Sequence, residues 1–407
     1  MLFTRPLADV LSLGRPLASG DSMNRAVFTG LVVVGLLSVP GAAMAGNGTP
    51  VNTGSANPLT LAVFGDAPYG ASNADTAAFD ATPAFVDGVN RDPEVSLVAH
   101  VGDLHSGSQK CTVAYDQSVA DMWTAFKDPL IYTPGDNEWT DCQKNKELPG
   151  SDFGGNPLPN LAAVRSIFFP RTGYTLGGRP KQVLSQAQVG TGTDVAYAEN
   201  VMWQQSQTLF VTLNIPGGSN NDADNWFGQS RTQAQTDEIA QRTQADLDWL
   251  SQAFAQASAD GAGSVVILEQ ADMWDLDGKA PSHIADYKPF IDAIAANTMS
   301  FGKPVLLFNG DSHAYRSDNP LMPGAPCVVE TGAPDASTKP CADDAYANQA
   351  ANGGAYDVPN FHRIVVHGGT TFPAQPLEYT RLTDDPWAFN PPSSSSFGPF
   401  SWERVQP

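Results

Sequence analysis

The stretch LIYTPGDNEWTDC, residues 130–142, decides how the rest of the chain is read. An apolar run, Leu130-Ile131-Tyr132-Thr133, is cut by Pro134-Gly135, and Asp136, Asn137 and Glu138 follow at once. A run of that length and composition reads as a strand, and the Pro-Gly pair as a tight turn. A carboxylate is thus mounted at the strand's tip. Three other apolar runs end in the same way, LAVFGD at Asp66, VAHVGD at Asp103 and LLFNGD at Asp311. Chance pairing of the glycines and aspartates gives about three Gly-Asp steps. Five occur, and four of the five close an apolar strand.

Further strand-length runs are LTLAVF (59–64), VSLVAHV (95–101), TLFVTLN (208–214), SVVILE (264–269), PVLLFN (304–309) and FHRIVVH (361–367). Most are nearly continuous in apolar character, as expected of strands covered on both faces. Between them, TQADLDWLSQAFAQAS places Leu247, Leu250, Phe254 and Ala257 at helical 3-4-3 spacing. Strands alternating with helices predict a layered α/β protein. Gly/Pro/Ser/Asn-rich insertions at 140–195, 216–232 and 316–358 read as surface excursions from one domain over 59–385, with an irregular tail over 386–407. In an α/β sheet, residues just past the carboxyl ends of strands converge on one crevice. Four carboxylates gathered there raise one another's pKa unless a cation sits among them. One or two divalent metal ions are the economical answer. The plain alternative is that each aspartate is a turn-former.

The 407 residues carry a formal net charge of -21 with a pI near 4.4, which argues against nucleic acid or an anionic membrane as a standing partner. A small phosphorylated substrate stays compatible, because a bound metal reverses the local field. From Met23, a short basic start (Arg25), an apolar stretch from Ala26 to Val39 and the small-residue site Ala43-Met44-Ala45 read as a signal peptide cleaved after Ala45. Residues 1–22 then form a long leader or an over-called start, and 46–58 a linker. The expected location is periplasmic or secreted. Cys111, Cys142, Cys327 and Cys341 read as two disulfides with three possible pairings, of which the neighbouring pairs are the simplest. Zinc is the rival reading, and no Cys-x-x-Cys spacing supports it.

Taken together, GDAPYG at 65–70, GDLHSG at 102–107, GDNEW at 135–139, LEQADMW at 268–274 and GDSHAYR at 310–316 resemble the motif blocks of the calcineurin-like metallophosphoesterases, a superfamily that includes the purple acid phosphatases. The first three aspartates lie 37 and 33 residues apart, which is the family's rhythm. The resemblance implies a four-layer sandwich of two mixed β-sheets flanked by helices. It also implies hydrolysis of a phosphomonoester or phosphodiester by metal-activated water. Carried over by position, the metal ligands are Asp66, Asp103 (bridging), Asp136, Gln270 (or Glu269), Asp311 and His313.

Departures from the family pattern matter as much. Pro68 and Asn137 stand where the first and third blocks have histidines. The remaining oxygen-dominated set suits Mg²⁺, Mn²⁺ or Ca²⁺ better than Zn²⁺. Asn137 can donate to a phosphoryl oxygen but cannot be an acid. His105, two residues past Asp103, is the nearest candidate for that role. Tyr69 and Arg316 flank motif blocks and are candidates for phosphate contact, with packing as the plain alternative. Glu138 and Trp139 are expected to fix the turn, and His100 to sit in the core, while His283, His362 and His367 carry no motif. The missing histidines also allow a second function, a non-catalytic module that binds a ligand or a protein.

Overall fold

The computed structural model describes residues 57–70, 76–144, 150–275, 284–332, 337–341 and 356–407. The expected leader and signal segment, most of the linker and His283 lie outside these residues. Strands in the first half are β1 (Leu59–Phe64), β2 (Leu97–His100), β3 (Pro129–Tyr132), β4 (Leu176–Gly177), β5 (Leu184–Ser185), β6 (Val201–Gln205) and β7 (Thr208–Thr212). The second half adds β8 (Ser264–Leu268), β9 (Val305–Asn309), β10 (Arg316–Asp318), β11 (Val328–Glu330), β12 (Thr338–Pro340), β13 (Phe361–Val365), β14 (Tyr379–Asp384), β15 (Ser396–Phe397) and β16 (Phe400–Val405). Helices are α1 (Thr76–Arg91), α2 (Val113–Trp123), α3 (Pro157–Phe168), a single turn α4 (Gln186–Val189), a short turn α5 (Gly217–Asn221), α6 (Gln233–Ala259) and α7 (Lys288–Phe301).

The strands form two mixed sheets, ordered β15-β16-β14-β1-β2-β3-β4 and β12-β11-β10-β13-β9-β8-β7-β6-β5. Parallel pairing joins β1 to β2 and β2 to β3 in the first sheet, and runs from β7 through β8 and β9 to β13 in the second. Alternation along each strand builds three apolar layers. Leu61, Val63, Leu97 and Ile131 meet Phe210, Val266, Leu306 and Phe308 between the sheets. Ala62, Phe64, Val98 and Leu130 face outward onto Val86 of α1, Trp123 of α2 and Phe168 of α3. Val211, Ile267 and Leu307 face the other way onto Trp249, Leu250 and Phe254 of α6 and Ile291 of α7. The result is the α/β/β/α sandwich, and it explains why the strands are apolar on both faces.

Local signals place the helix ends. Thr232 Oγ1 accepts from Gln235 N at 3.1 Å to start α6, and α7 stops at Gly302, which sits left-handed at φ 69°. The stripe seen on α6 is buried at Leu250, Phe254 and Ala257, and Leu247 packs at its margin. The tail past Pro386 is not irregular throughout. Strand β16 pairs with β14 over Tyr379–Asp384, because Phe397, Phe400 and Trp402 supply apolar side chains to the space between the sheets. Likewise β10, β11 and β12 extend the second sheet inside the 316–358 insertion, and α3 forms inside the 140–195 insertion. Among the described residues, no helix is long and apolar enough to cross a membrane.

Candidate metal centre

Asp66, Asp103 and Asp136 lie just past the carboxyl ends of β1, β2 and β3, while Gln270 and Asp311 lie past β8 and β9 of the other sheet. The crevice is therefore built by both sheets. Asp66, Asp103, Asp311 and His313 all hold left-handed backbone, at φ 51°, 60°, 72° and 62°. Aspartate tolerates that region better than most residues, and four such positions in one place mark a site where strain is held by its surroundings. Asp66 Oδ1 accepts from Asp311 N at 3.0 Å and lies 3.4 Å from His313 Nε2. Asp103 Oδ1 accepts from Asn137 N at 3.3 Å, and its Oδ2 accepts from Asn137 Nδ2 at 3.0 Å and Gln270 Nε2 at 3.1 Å. Asp311 Oδ2 accepts from Asp272 N at 3.1 Å.

Two groups of ligand atoms result, each within 4.8 Å of one another: Asp66, Asp103 and His313, and Asp103, Asp136 and Asp311. Asp103 belongs to both. Asp66, Asp103 and Asp136 are buried. Burial, then the charge of Asp311, holds the Asp66 carboxyl well above its ordinary range, and burial with Asp136 does the same to Asp103. For Asp136, burial followed by repulsion from Asp141 and Asp311 pushes the pKa up to about 8. Like charges gathered in a buried cluster raise one another's pKa in this way.

Three observations fit a divalent metal to this cluster. Asp66 Oδ2 is buried and has no hydrogen-bond partner. An added methyl at Gly135 would overlap the Asp103 carboxylate, so the third-block turn approaches it as only glycine can. A methyl at Gly217 would come within 2.6 Å of Asp136 Oδ2 and 3.0 Å of Asp311 Oδ1, so both carboxylates face one point from different sheets. The donors are hard oxygens with one imidazole, as magnesium, manganese and calcium prefer.

A family model for calcineurin-like phosphoesterases matches residues 59–315. The chain belongs to this family. No curated protein sequence matches it. Among solved structures, a purple acid phosphatase from seeds of yellow lupin (Lupinus luteus) is similar, with 13% identity and a TM-score of 0.41. The match covers 87% of this chain and 52% of that one, so the chain spans about half the length of the lupin protein. A likeness that low carries nothing about activity.

Not every residue expected at the phosphoesterase site arrives in its expected role. Gln270 reaches the centre, but its Oε1 accepts from Gly217 N at 2.6 Å, and its amide nitrogen faces Asp103 and Asp136. In this orientation the Gln270 amide bridges the Asp103 and Asp136 carboxylates through its nitrogen. Glu269, the other candidate, is buried with both oxygens unpartnered, and burial, then the charge of Asp272, raises its pKa well above the ordinary range. His105 is fully buried, its Nε2 lies 2.6 Å from Asp116 Oδ1 of α2, and it is not among the cleft's lining residues. Arg316 lies on β10, 3.8 Å from Asp318 Oδ2, and is not among the cleft's lining residues. Tyr69 is buried and places its hydroxyl 2.8 Å from His313 Nε2, so it touches the imidazole and not the cleft. Asn137 lines the cleft.

His100 is a core residue. Its Nε2 lies 2.6 Å from Ala67 O, and burial lowers its pKa to about 4. Glu138 Oε1 accepts from Leu104 N and Tyr132 Oη, both at 2.9 Å, and so ties the third-block turn to the second. Both disulfides join neighbouring cysteines, Cys111–Cys142 and Cys327–Cys341.

Two features of the site lie outside the residues that the motif blocks single out. Lys144 lines a cleft of about 400 Å³ together with Asp103, Asp136, Asp311 and His313. Its one sequence signal is its position eight residues past Asp136 on the same segment. Behind Asp311, Asp272 accepts from Ser312 Oγ at 2.9 Å and from Arg363, which also holds Asp318 at 2.8 Å. Burial raises the Asp272 pKa, but the Arg363 guanidinium outweighs it, and the group stays below its ordinary value. Asp272 falls within the fourth block, where the sequence offered Gln270.

Proposed function

We propose that this family member is an exported, divalent-metal-dependent phosphoesterase that hydrolyses a small phosphomonoester or phosphodiester. The observation that carries this reading is Asp103, whose carboxylate is common to both groups of potential ligands. Asp66, Asp103, Asp136, Asp311 and His313 are the residues that would hold one or two ions, with Mg²⁺, Mn²⁺ or Ca²⁺ favoured over Zn²⁺. When bound, such ions polarise a phosphoryl oxygen and make water acidic enough to attack near neutral pH.

The chain's own groups supply position. Asn137 and Gln270 donate to Asp103 and fix the plane of its carboxylate. Tyr69 orients the His313 ring through Nε2, and the Asp272 amide holds Asp311 in place. Asn137 remains available at the cleft wall to a phosphoryl oxygen. Two disulfides support an oxidising, periplasmic or secreted location. The acidic chain supports a small substrate over nucleic acid. A family match over 59–315 and a sheet continued by β16 support one domain reaching to Val405.

The competing reading, a metal-holding module without turnover, is favoured by Asn137 in place of the third-block acid and by the burial of His105. Metal analysis of the exported protein separates the two readings when paired with chromogenic monoester and diester assays in Mn²⁺, Mg²⁺, Ca²⁺ and Zn²⁺. Bound metal with turnover that Asp103→Ala abolishes supports the enzyme. Bound metal with no turnover on any substrate supports the module.

A further inference from the structure

We propose that Lys144 is the residue that binds the substrate's non-bridging phosphoryl oxygens and favours dianionic monoesters over monoanionic diesters. This rests on the phosphoesterase reading above. Among the described residues lining the cleft, Lys144 is the one Lys or Arg side chain, and the other ionisable groups there are Asp103, Asp136, Asp141, Asp224, Asp311 and His313. Asp66, Asp103, Asp136 and Asp311 together balance the charge of two divalent ions. That leaves Lys144 as the cation able to meet the second negative charge of a terminal phosphoryl group.

Its root is held firmly, and its head has one close partner and one displaceable one. Lys144 N donates to Asp141 O at 2.8 Å, and Asp141 N donates to Asp136 O at 3.0 Å, so the lysine springs from the same turn that carries Asp136. Cys142 is tied to Cys111, and Gln143 Oε1 accepts from Phe227 N at 2.5 Å, which links this segment to the loop bearing Asp224. At the head, Nζ donates to Asp141 Oδ2 at 2.6 Å and lies 3.5 Å from Asp224 Oδ2. An ammonium has three donors. Asp141 takes one, and the Asp224 side chain, 62% exposed, is a solvated and displaceable second partner. A phosphoryl oxygen entering the cleft competes with Asp224 for the same ammonium, with Asp141 left in place to aim it.

The test uses the full exported chain loaded with Mn²⁺, its metal content measured, and inorganic phosphate titrated calorimetrically. Lys144→Met should bind phosphate about tenfold more weakly with unchanged metal content, since a charge-assisted hydrogen bond is lost. Lys144→Arg should recover most of that affinity. Asp224→Asn, an exposed change that removes the competitor, should tighten phosphate about threefold. In turnover, Lys144→Met should raise KM for 4-nitrophenyl phosphate about tenfold with kcat within about twofold, and affect bis(4-nitrophenyl) phosphate less. Wild-type phosphate affinity in a metal-replete Lys144→Met protein overturns the proposal and leaves the metal centre standing. Weaker phosphate binding in Asp224→Asn overturns it as well. A wild-type chain that takes up no Mn²⁺ sinks the underlying reading and the role of Lys144 with it.

Discussion

Asp136→Asn is expected to change stability in opposite directions with and without metal. In the folded, metal-free chain the Asp136 pKa is pushed up to about 8, by burial first and by Asp141 and Asp311 next. In the unfolded chain it is about 3.9. At pH 7 the unfolded chain has released a proton that the folded chain must hold, a penalty of about three pKa units or ~4 kcal/mol. Relaxation and proton sharing among neighbouring carboxylates reduce this to about 2–4 kcal/mol. The stability carried by protonated Asp136 is complete below about pH 4 and is lost as the pH rises to about 8. Asparagine carries no charge, and its amide oxygen can still accept from Gln270 as Asp136 Oδ1 does at 3.1 Å. The metal-free variant should therefore melt higher than wild type at pH 7–8, by about 4–8 °C at about 2 °C per kcal/mol. The gap should close toward pH 4. With metal at a hundredfold excess over its Kd, wild type gains about 2.7 kcal/mol and the variant markedly less. Thermal melts at pH 5, 6.5 and 8, in chelator and in Mn²⁺, read both effects. A variant that melts below wild type in chelator at pH 8, or that gains the full Mn²⁺ shift, refutes the electrostatic argument.

Other substitutions follow from the same geometry. Gly135→Ala drives a methyl into the Asp103 carboxylate and should cost most of the bound metal, read by elemental analysis of the folded variant. His105→Gln should leave the alkaline limb of any pH–rate profile in place, because the imidazole is buried against Asp116; a lost limb would return His105 to the chemistry. Replacing Cys111 and Cys142 together by serine opens a closure of 31 residues and should lower stability by about 3 kcal/mol in a denaturant melt.

Much of the fold was readable because both sheets are buried on both faces. Strands β1, β2, β3, β7, β8 and β9 appear in the sequence as nearly continuous apolar runs, within a residue or two of their ends, and β13 as a run broken only by His362 and Arg363. Strands that half face polar surroundings were not readable. VMWQQ of β6 ends in two glutamines, and YTRLTD of β14 alternates with charged residues, so neither resembles its neighbours. The tail strand β16 is hidden among serines and prolines and is specified by the partner it finds in β14.

The carboxylates were legible from position, since a Gly-Asp step past a parallel strand has few places to go. Side-chain direction was not. Gln270, His105 and Arg316 sit in or beside their motif blocks, yet Gln270 turns nitrogen inward, His105 turns to Asp116, and Arg316 turns to Asp318. Lys144 was invisible for the converse reason. It reaches the cleft through a segment fixed by the Cys111–Cys142 bond, which the sequence suggested, and by the Gln143 contact to Phe227, which has no spacing signature.

The measurement that bears most directly on the central claim is the metal stoichiometry of the purified chain, beside Asp103→Ala and His313→Ala. If Asp103 is shared by two ions, wild type should hold close to two per chain. His313→Ala should then lose about one and Asp103→Ala nearly both. Metal-free wild type, or metal content unchanged in both variants, would make the aspartates turn-formers and contradict the account.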